Sequence, residues 1–221
     1  MDLVYINKQP SINTNDRQLS PTTTVNYHQL PPTQKPNIPT QKPNTPPQNP
    51  NGENKCEIKR KDYKYYKKAH EIIEQMNKNP KVNSIIDVGG WRGEFIKNTN
   101  IKGKTIIDLH KIKNESDGIT RISDNFLTHS FKKKYNIVTC LQVLEHIDNK
   151  NVINFAQKLF SISNKYVIIS VPYKWRKEAC KWHLQDPVDH AKLFKWTSRT
   201  PFETFIVKDT ATRLIAVYKV N

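Results

Sequence analysis

Cysteine, long apolar runs and arginine are all scarce in this 221-residue sequence. The three cysteines, Cys56, Cys140 and Cys180, form no CxxC pair and no zinc-binding spacing. That excludes a disulfide framework as the source of stability and fits a reducing, cytoplasmic setting. No apolar run approaches the ~18–20 residues of a membrane span, and the N-terminus lacks a basic-then-apolar signal pattern. Seven of the 36 basic residues are arginine and 29 are lysine. Bidentate phosphate recognition favours arginine, so the net charge of +16 argues for nucleic acid less strongly than its size suggests. A field of that sign still steers anions, and RNA stays open as a partner.

Large apolar residues are also missing between Tyr27 and Cys56, where proline, threonine, glutamine and asparagine dominate. Residues 1–54 hold 10 of the 14 prolines, and TQKPN occurs at both 33–37 and 40–44. Such a segment cannot offset its ordering entropy by burial. It is expected to be a disordered tail, with polyproline-like character over 31–50. This leaves residues 55–221 as one folded domain, long enough for a proper core. The tail carries a net charge of +1, so the domain carries +15.

Within the domain, short apolar runs alternate with helical stretches. In 57–80, Tyr66, Ala69, Ile73 and Met76 make one apolar stripe, and Pro80 closes a helix. SIIDV (84–88), KTIIDL (104–109), YNIVTCL (135–141) and KYVIISVP (165–172) read as buried strands, and GEFIKNT begins a helix. Residues 149–164 place Val152, Phe155, Ala156 and Leu159 on one helical face. A helix is also expected to start at Asp189–His190 and run to about Trp196, with Leu193 and Trp196 in the core. Strands interleaved with helices predict a doubly wound, mostly parallel α/β sheet of the Rossmann-like kind. FETFIVKD and TRLIAVYKV, joined by a polar turn near Thr210, predict a C-terminal antiparallel hairpin.

The stretch IIDVGGWRGEF, 85–95, ends an apolar run in an acid and then spends three glycines in five residues. A turn so bare of side chains lets backbone approach a ligand, and the helix after it offers free N–H groups. The dinucleotide pattern G-x-G-x-x-G fails, because position 88 is valine. Asp87-Val88-Gly89-Gly90-Trp91-Arg92-Gly93 resembles instead the D-x-G-x-G-x-G of class I S-adenosylmethionine (SAM)-dependent methyltransferases, with Trp91 where the middle glycine stands. That resemblance implies SAM as cofactor and further site positions. Asp87, Gly89, Gly90 and Gly93 would form the cofactor turn. Asp108, 21 residues after Asp87, would accept the ribose hydroxyls. Asp124 and Asn125 would meet the adenine amino group. Cys140, Leu141 and Gln142 would flank the methionine part of SAM, largely through backbone. Trp91 can wall the substrate cleft, or it can block the cofactor and leave a non-catalytic module.

The VLEH step at 143–146 also resembles the family. Its acid–histidine pair would cap a helix under the cofactor, and a lone pair of this kind is no metal site, so no metal ligands are expected. Residues 172–200, between the last parallel strand and the hairpin, concentrate Trp175, Trp182, His183, Asp186, Asp189, His190 and Trp196. Connections there vary to build substrate pockets. Methyl transfer from a sulfonium needs alignment, and a hydroxyl nucleophile gains from a base. His183 and His190 are the candidates, with His146 behind them. The expected activity is methylation of an O or N atom of a small molecule or glycan, the RNA and non-catalytic readings being the alternatives.

Overall fold

The computed structural model describes residues 63–111 and 115–220. The tail expected over 1–54 and residues 57–62 of the first expected helix lie outside them. Seven strands form a single sheet in the order β3-β2-β1-β4-β5-β7-β6. The strands are β1 (Ser84–Val88), β2 (Gly103–Asp108), β3 (Ile119–Ser123), β4 (Tyr135–Leu141), β5 (Ser163–Pro172), β6 (Glu203–Val207) and β7 (Arg213–Lys219). The first five pair in parallel. β7 runs antiparallel to both β5 and β6, which is the expected hairpin closing the sheet.

Alternation along each strand divides the core into two layers. Ile86, Val88, Val138, Cys140, Val167 and Ile169 pack on one face with α3 (Val152–Ser161) and α4 (His190–Thr197). Ile85, Ile106, Ile137, Leu141 and Ile168 pack on the other with α1 (Lys64–Asn77) and α2 (Glu94–Lys97). The sheet is therefore covered on both sides, which is why its central strands read as unbroken apolar runs. The stripe on α1 is wider than the sequence indicates: Tyr65 and Ile72 are buried beside Tyr66, Ala69 and Ile73.

Two differences from expectation have local causes. The helix after the glycine turn is a single turn of four residues. β3, ITRIS, is an edge strand with only its first residue buried, so it carries too little apolar pattern to be read as a strand. Its Arg121 turns back to grip Asp117 through two bonds of 2.7 Å, holding the Asp117 carboxyl well below the usual carboxylate range. Among the described residues no helix is long and apolar enough to cross a membrane.

Candidate functional site

Strand order reverses direction between β1 and β4, and in open parallel sheets the crevice beyond the carboxyl ends at such a point is where ligands bind. The glycine turn fills one side of that crevice. Gly89 is left-handed (φ +75°) and donates its N–H to the carbonyl of Ile107 (2.8 Å). A Cβ at Gly90 would stand 2.2 Å from Ile106 Cγ2 and 2.6 Å from Asp87 Oδ2. The turn is thus pressed onto the end of the sheet, and glycine there is a packing requirement. Asp87 itself is buried and accepts the hydroxyl of Thr139 on β4 (2.7 Å), tying the two strands that flank the crevice. Gly93 is left-handed too (φ +80°) and starts α2.

Trp91 takes a left-handed backbone as well, φ +50°, in the place where the family motif has glycine. The side chain departs from the motif and the backbone does not. A bulky residue in that region costs about 1–2 kcal/mol. Its N–H donates to Asp108 Oδ2 (2.9 Å), and its half-exposed indole meets the ring of His110 edge-on at 4.9 Å. Asp108, at the end of β2, also receives the His110 N–H and ring Nδ1–H on Oδ1, both at 2.9 Å. The turn, Trp91, Asp108 and His110 form one connected unit.

Asp124 follows β3, and its N–H donates to the Asp108 carbonyl (3.0 Å). Its carboxylate is occupied locally by His129 Nδ1–H and the Asn125 N–H, both at 2.7 Å, which lowers its pKa, the His129 bond most. Asn125 Oδ1 takes the Leu127 N–H, so both side chains contribute to closing their own turn. At the exit of β4, Cys140 and Leu141 are buried in opposite core layers, and burial pushes the Cys140 thiol well up. Gln142 is left-handed (φ +58°) and holds β5 through Ser170. Beyond it, Val143 packs so close to the glycine turn that a Cβ on Gly89 would lie 2.5 Å from it.

The other side of the crevice is where the chain after β4 meets the connection after β5. A 3-10 turn, Leu144–His146, carries Glu145 into complete burial. The Glu145 carbonyl accepts the Leu184 N–H (2.7 Å), and Gln185 donates to the Ile147 carbonyl (2.7 Å), stitching the connection onto this turn. His183 Nδ1 donates to Asp186 Oδ2 (2.7 Å), and His146 Nδ1 donates to the Trp182 carbonyl (2.9 Å). The two imidazoles lie 4.9 Å apart. Trp175 stacks on His183, and Arg213, from the start of β7, lies over Trp175 at 4.4 Å. Neither carboxylate oxygen of Glu145 has a hydrogen-bond partner. Burial pushes its pKa to about 8, opposed by a contact with its own backbone N–H that falls short of hydrogen-bond geometry and by the Arg213 charge, and reinforced by Asp186.

Two of the three candidate bases, His146 and His183, therefore meet. His190 does not join them. It opens α4 after the Asp189 cap and sits 3.3 Å from the Tyr173 hydroxyl, with its pKa lowered by burial. The sequence singled out the Glu145–His146 step but not Glu145 as a site residue, and Arg213 was not singled out at all. The lysines 132–134 line a shallow hollow of about 460 Å³ with Lys158. They precede β4 and so lie away from the carboxyl-end crevice.

A sheet of this order, with a glycine turn and an acid at the ends of its first two strands, defines a methyltransferase-type α/β domain. The family described as "Methyltransferase domain" matches residues 60–200, and the chain belongs to it. No curated protein matches the chain by sequence. Solved structures do match the fold. Magnesium protoporphyrin IX methyltransferase from Synechocystis with bound S-adenosylhomocysteine (SAH) is similar at 12% identity and a TM-score of 0.54, over 71% of this chain and 84% of that one. The N-methyltransferase NodS from Bradyrhizobium japonicum is similar at 12% identity and a TM-score of 0.55, over 72% and 98%. The methyltransferase domain of bacterial CtHen1 is similar at 14% identity and a TM-score of 0.55, over 71% and 97%. The protein is a SAM-dependent methyltransferase.

Proposed function

We propose that this enzyme methylates an O or N atom of a small molecule or glycan whose acceptor group lies at the His146–His183 pair. SAM would sit across the glycine turn, between Asp108 and the exit of β4. The residues fit that cofactor. Asp108 has two carboxylate oxygens and about four acceptor sites, three of them filled from the turn and from His110. The His110 ring is exposed, so it can swing off Oδ1 and leave room for a ribose hydroxyl. Asp87, Gly89, Gly90 and Gly93 form the floor, and Cys140, Leu141 and Gln142 offer backbone. Asp124 and Asn125 fit adenine less well with their side chains than with their backbone.

SAM supplies an activated methyl group, and this chain's residues have to align the acceptor and take its proton. The observation that carries the reading is the bond from His183 Nδ1 to Asp186. It holds the neutral ring in the tautomer whose Nε2 is basic, and an imidazole so oriented suits general-base work near neutral pH. Trp175 and Arg213 back the ring and fix its plane.

A second reading, RNA as the acceptor, draws support from exposed Trp182 and Leu184 on the same connection, with the Lys181 ammonium 4.7 Å from the Trp182 ring. An exposed aromatic beside lysine is a platform for an unpaired base. Calorimetric titration with SAM, then a methyl-transfer screen on glycans, small molecules and RNA at two salt concentrations, separates the two. Transfer to small acceptors independent of salt supports the first reading. Transfer only to RNA, collapsing as salt rises, replaces it. The tail and domain division at residue 54 belongs to the same proposal, and a chain beginning at 55 should bind SAM as the full chain does.

A further inference from the structure

Glu145 is unlike the other acids of the crevice. It is fully buried, and neither of its oxygens has a hydrogen-bond partner. Arg213 attracts it through space without donating to it. Asp186 nearby is also buried, with Oδ1 unpartnered. A carboxylate hidden from water costs several kcal/mol unless something charged compensates it. Two histidines stand beside it, and a ligand atom from each of Glu145, His146 and His183 lies within 4.8 Å of the other two.

We propose that Glu145, His146 and His183 form a binding site for a divalent first-row transition metal ion, with open coordination positions for the acceptor's oxygen or nitrogen. The donor set is two imidazole nitrogens and one carboxylate, which suits zinc, manganese or iron(II). Both histidines have their Nδ1 protons fixed by acceptors that cannot donate, a backbone carbonyl and a carboxylate. Each ring therefore carries its lone pair on Nε2, and an outer acceptor on the other nitrogen is how metal-bound histidines are held. Bonds of ~2.0–2.2 Å put neighbouring ligand atoms ~3–3.5 Å apart, so the cluster has to tighten by about 1 Å to close on an ion. Of the three ligands, His146 is the exposed one, so its side chain is the one able to move toward the ion.

The inference rests on the reading that the acceptor binds at this cluster, and it changes how the acceptor is activated. With an ion present, His146 and His183 are ligands. An alcohol held there would lose its proton to water more readily, as metal-bound water does, and its oxygen would take the methyl group as SAM leaves as SAH.

The test is a titration of the full chain, stripped with EDTA, with Zn²⁺ by calorimetry and with Mn²⁺ by the paramagnetic resonance of the free ion. Wild type should take up one ion at the site. Glu145→Gln, His183→Ala and His146→Ala should each weaken binding at least tenfold, and Asp186→Asn by about 10–100-fold. His190→Ala should match wild type. His146 is exposed, so its variant keeps the test valid if the buried ones fail to fold. No stoichiometric uptake by wild type overturns the site, as does uptake unchanged in the folded ligand variants. SAM titrated into the same stripped samples reports independently: intact SAM binding without metal uptake removes only this inference, whereas absent SAM binding removes the functional reading beneath it.

Discussion

Asp108 and Glu145 leave neighbouring parts of one sheet edge, and their surroundings are opposite. Asp108 collects three donors from the glycine turn and His110. Glu145, more deeply buried, receives no donor from another residue. The first carboxylate belongs to a preorganised unit, held by bonds that do not need a ligand to form. The second is incomplete without something else, and its neighbours are two histidines and another buried acid. A crevice divided this way sets a carboxylate whose acceptor sites are mostly filled by the turn against a buried carboxyl group that receives no side-chain donor.

The contrast can be broken from its acceptor half first. His183→Ala should reduce methyl transfer by about 10²–10⁴-fold, the range for a lost acid–base group, while SAM affinity stays as in wild type. His190→Ala should reduce it by less than tenfold. Single-turnover transfer measured beside calorimetry with SAM decides this, and equal losses in the two variants would return His190 to the site.

Asp108→Ala attacks the other half. It should weaken SAM binding by about 1.5–3 kcal/mol, the scale of hydrogen bonds to a charged group. Transfer at saturating SAM should survive. Unchanged affinity in calorimetry would remove Asp108 from the cofactor site.

Trp91→Gly sharpens the comparison. Glycine accepts the left-handed φ of +50° that costs tryptophan about 1–2 kcal/mol, while the unfolded chain gains freedom worth about 0.5–1 kcal/mol. Stability should therefore rise by about 0–1.5 kcal/mol. Losing the indole also releases His110 from its ring contact, so SAM affinity should stay level or rise. A variant that binds SAM more weakly would show that the indole itself holds the cofactor.

Arg121→Met tests the exposed edge beyond both halves. The Asp117 pKa is held low by Arg121, so in wild type this bond contributes stability fully above the unfolded carboxyl value and loses it as pH falls through the depressed one. The variant lacks that contribution. Urea midpoints of the two proteins should differ at pH 7 and converge as pH drops below about 4. A difference that persists unchanged in acid would assign the effect to packing.

Much of the frame was legible because it is written locally. β1 and β4 fall where their apolar runs fall, and the hairpin of β6 and β7 follows two alternating runs and a polar turn. The glycine turn was legible for the same reason: bare backbone against Ile106 and Asp87 demands glycine whatever lies elsewhere. β3 escaped because an edge strand buries too little to leave a pattern. The side chains of Asp124 and Asn125 close their own turn, a local competition that residue type alone does not reveal.

What the sequence determined by itself is the parallel sheet, its antiparallel end, the glycine turn and the acid that ends β2, since each follows from residues close together in the chain. What only the tertiary structure decided is the meeting of Glu145, His146, His183 and Asp186. Glu145 and His146 lie on one crossover, and His183 and Asp186 on another nearly 40 residues later. They meet because β4 and β5 are neighbours and because Leu184 and Gln185 bond to the backbone of the turn after β4. His190, an equal candidate on composition, is drawn away by the Asp189 cap that starts α4. A side chain's partner across the sheet depends on strand order and loop path, and no short-range pattern encodes either.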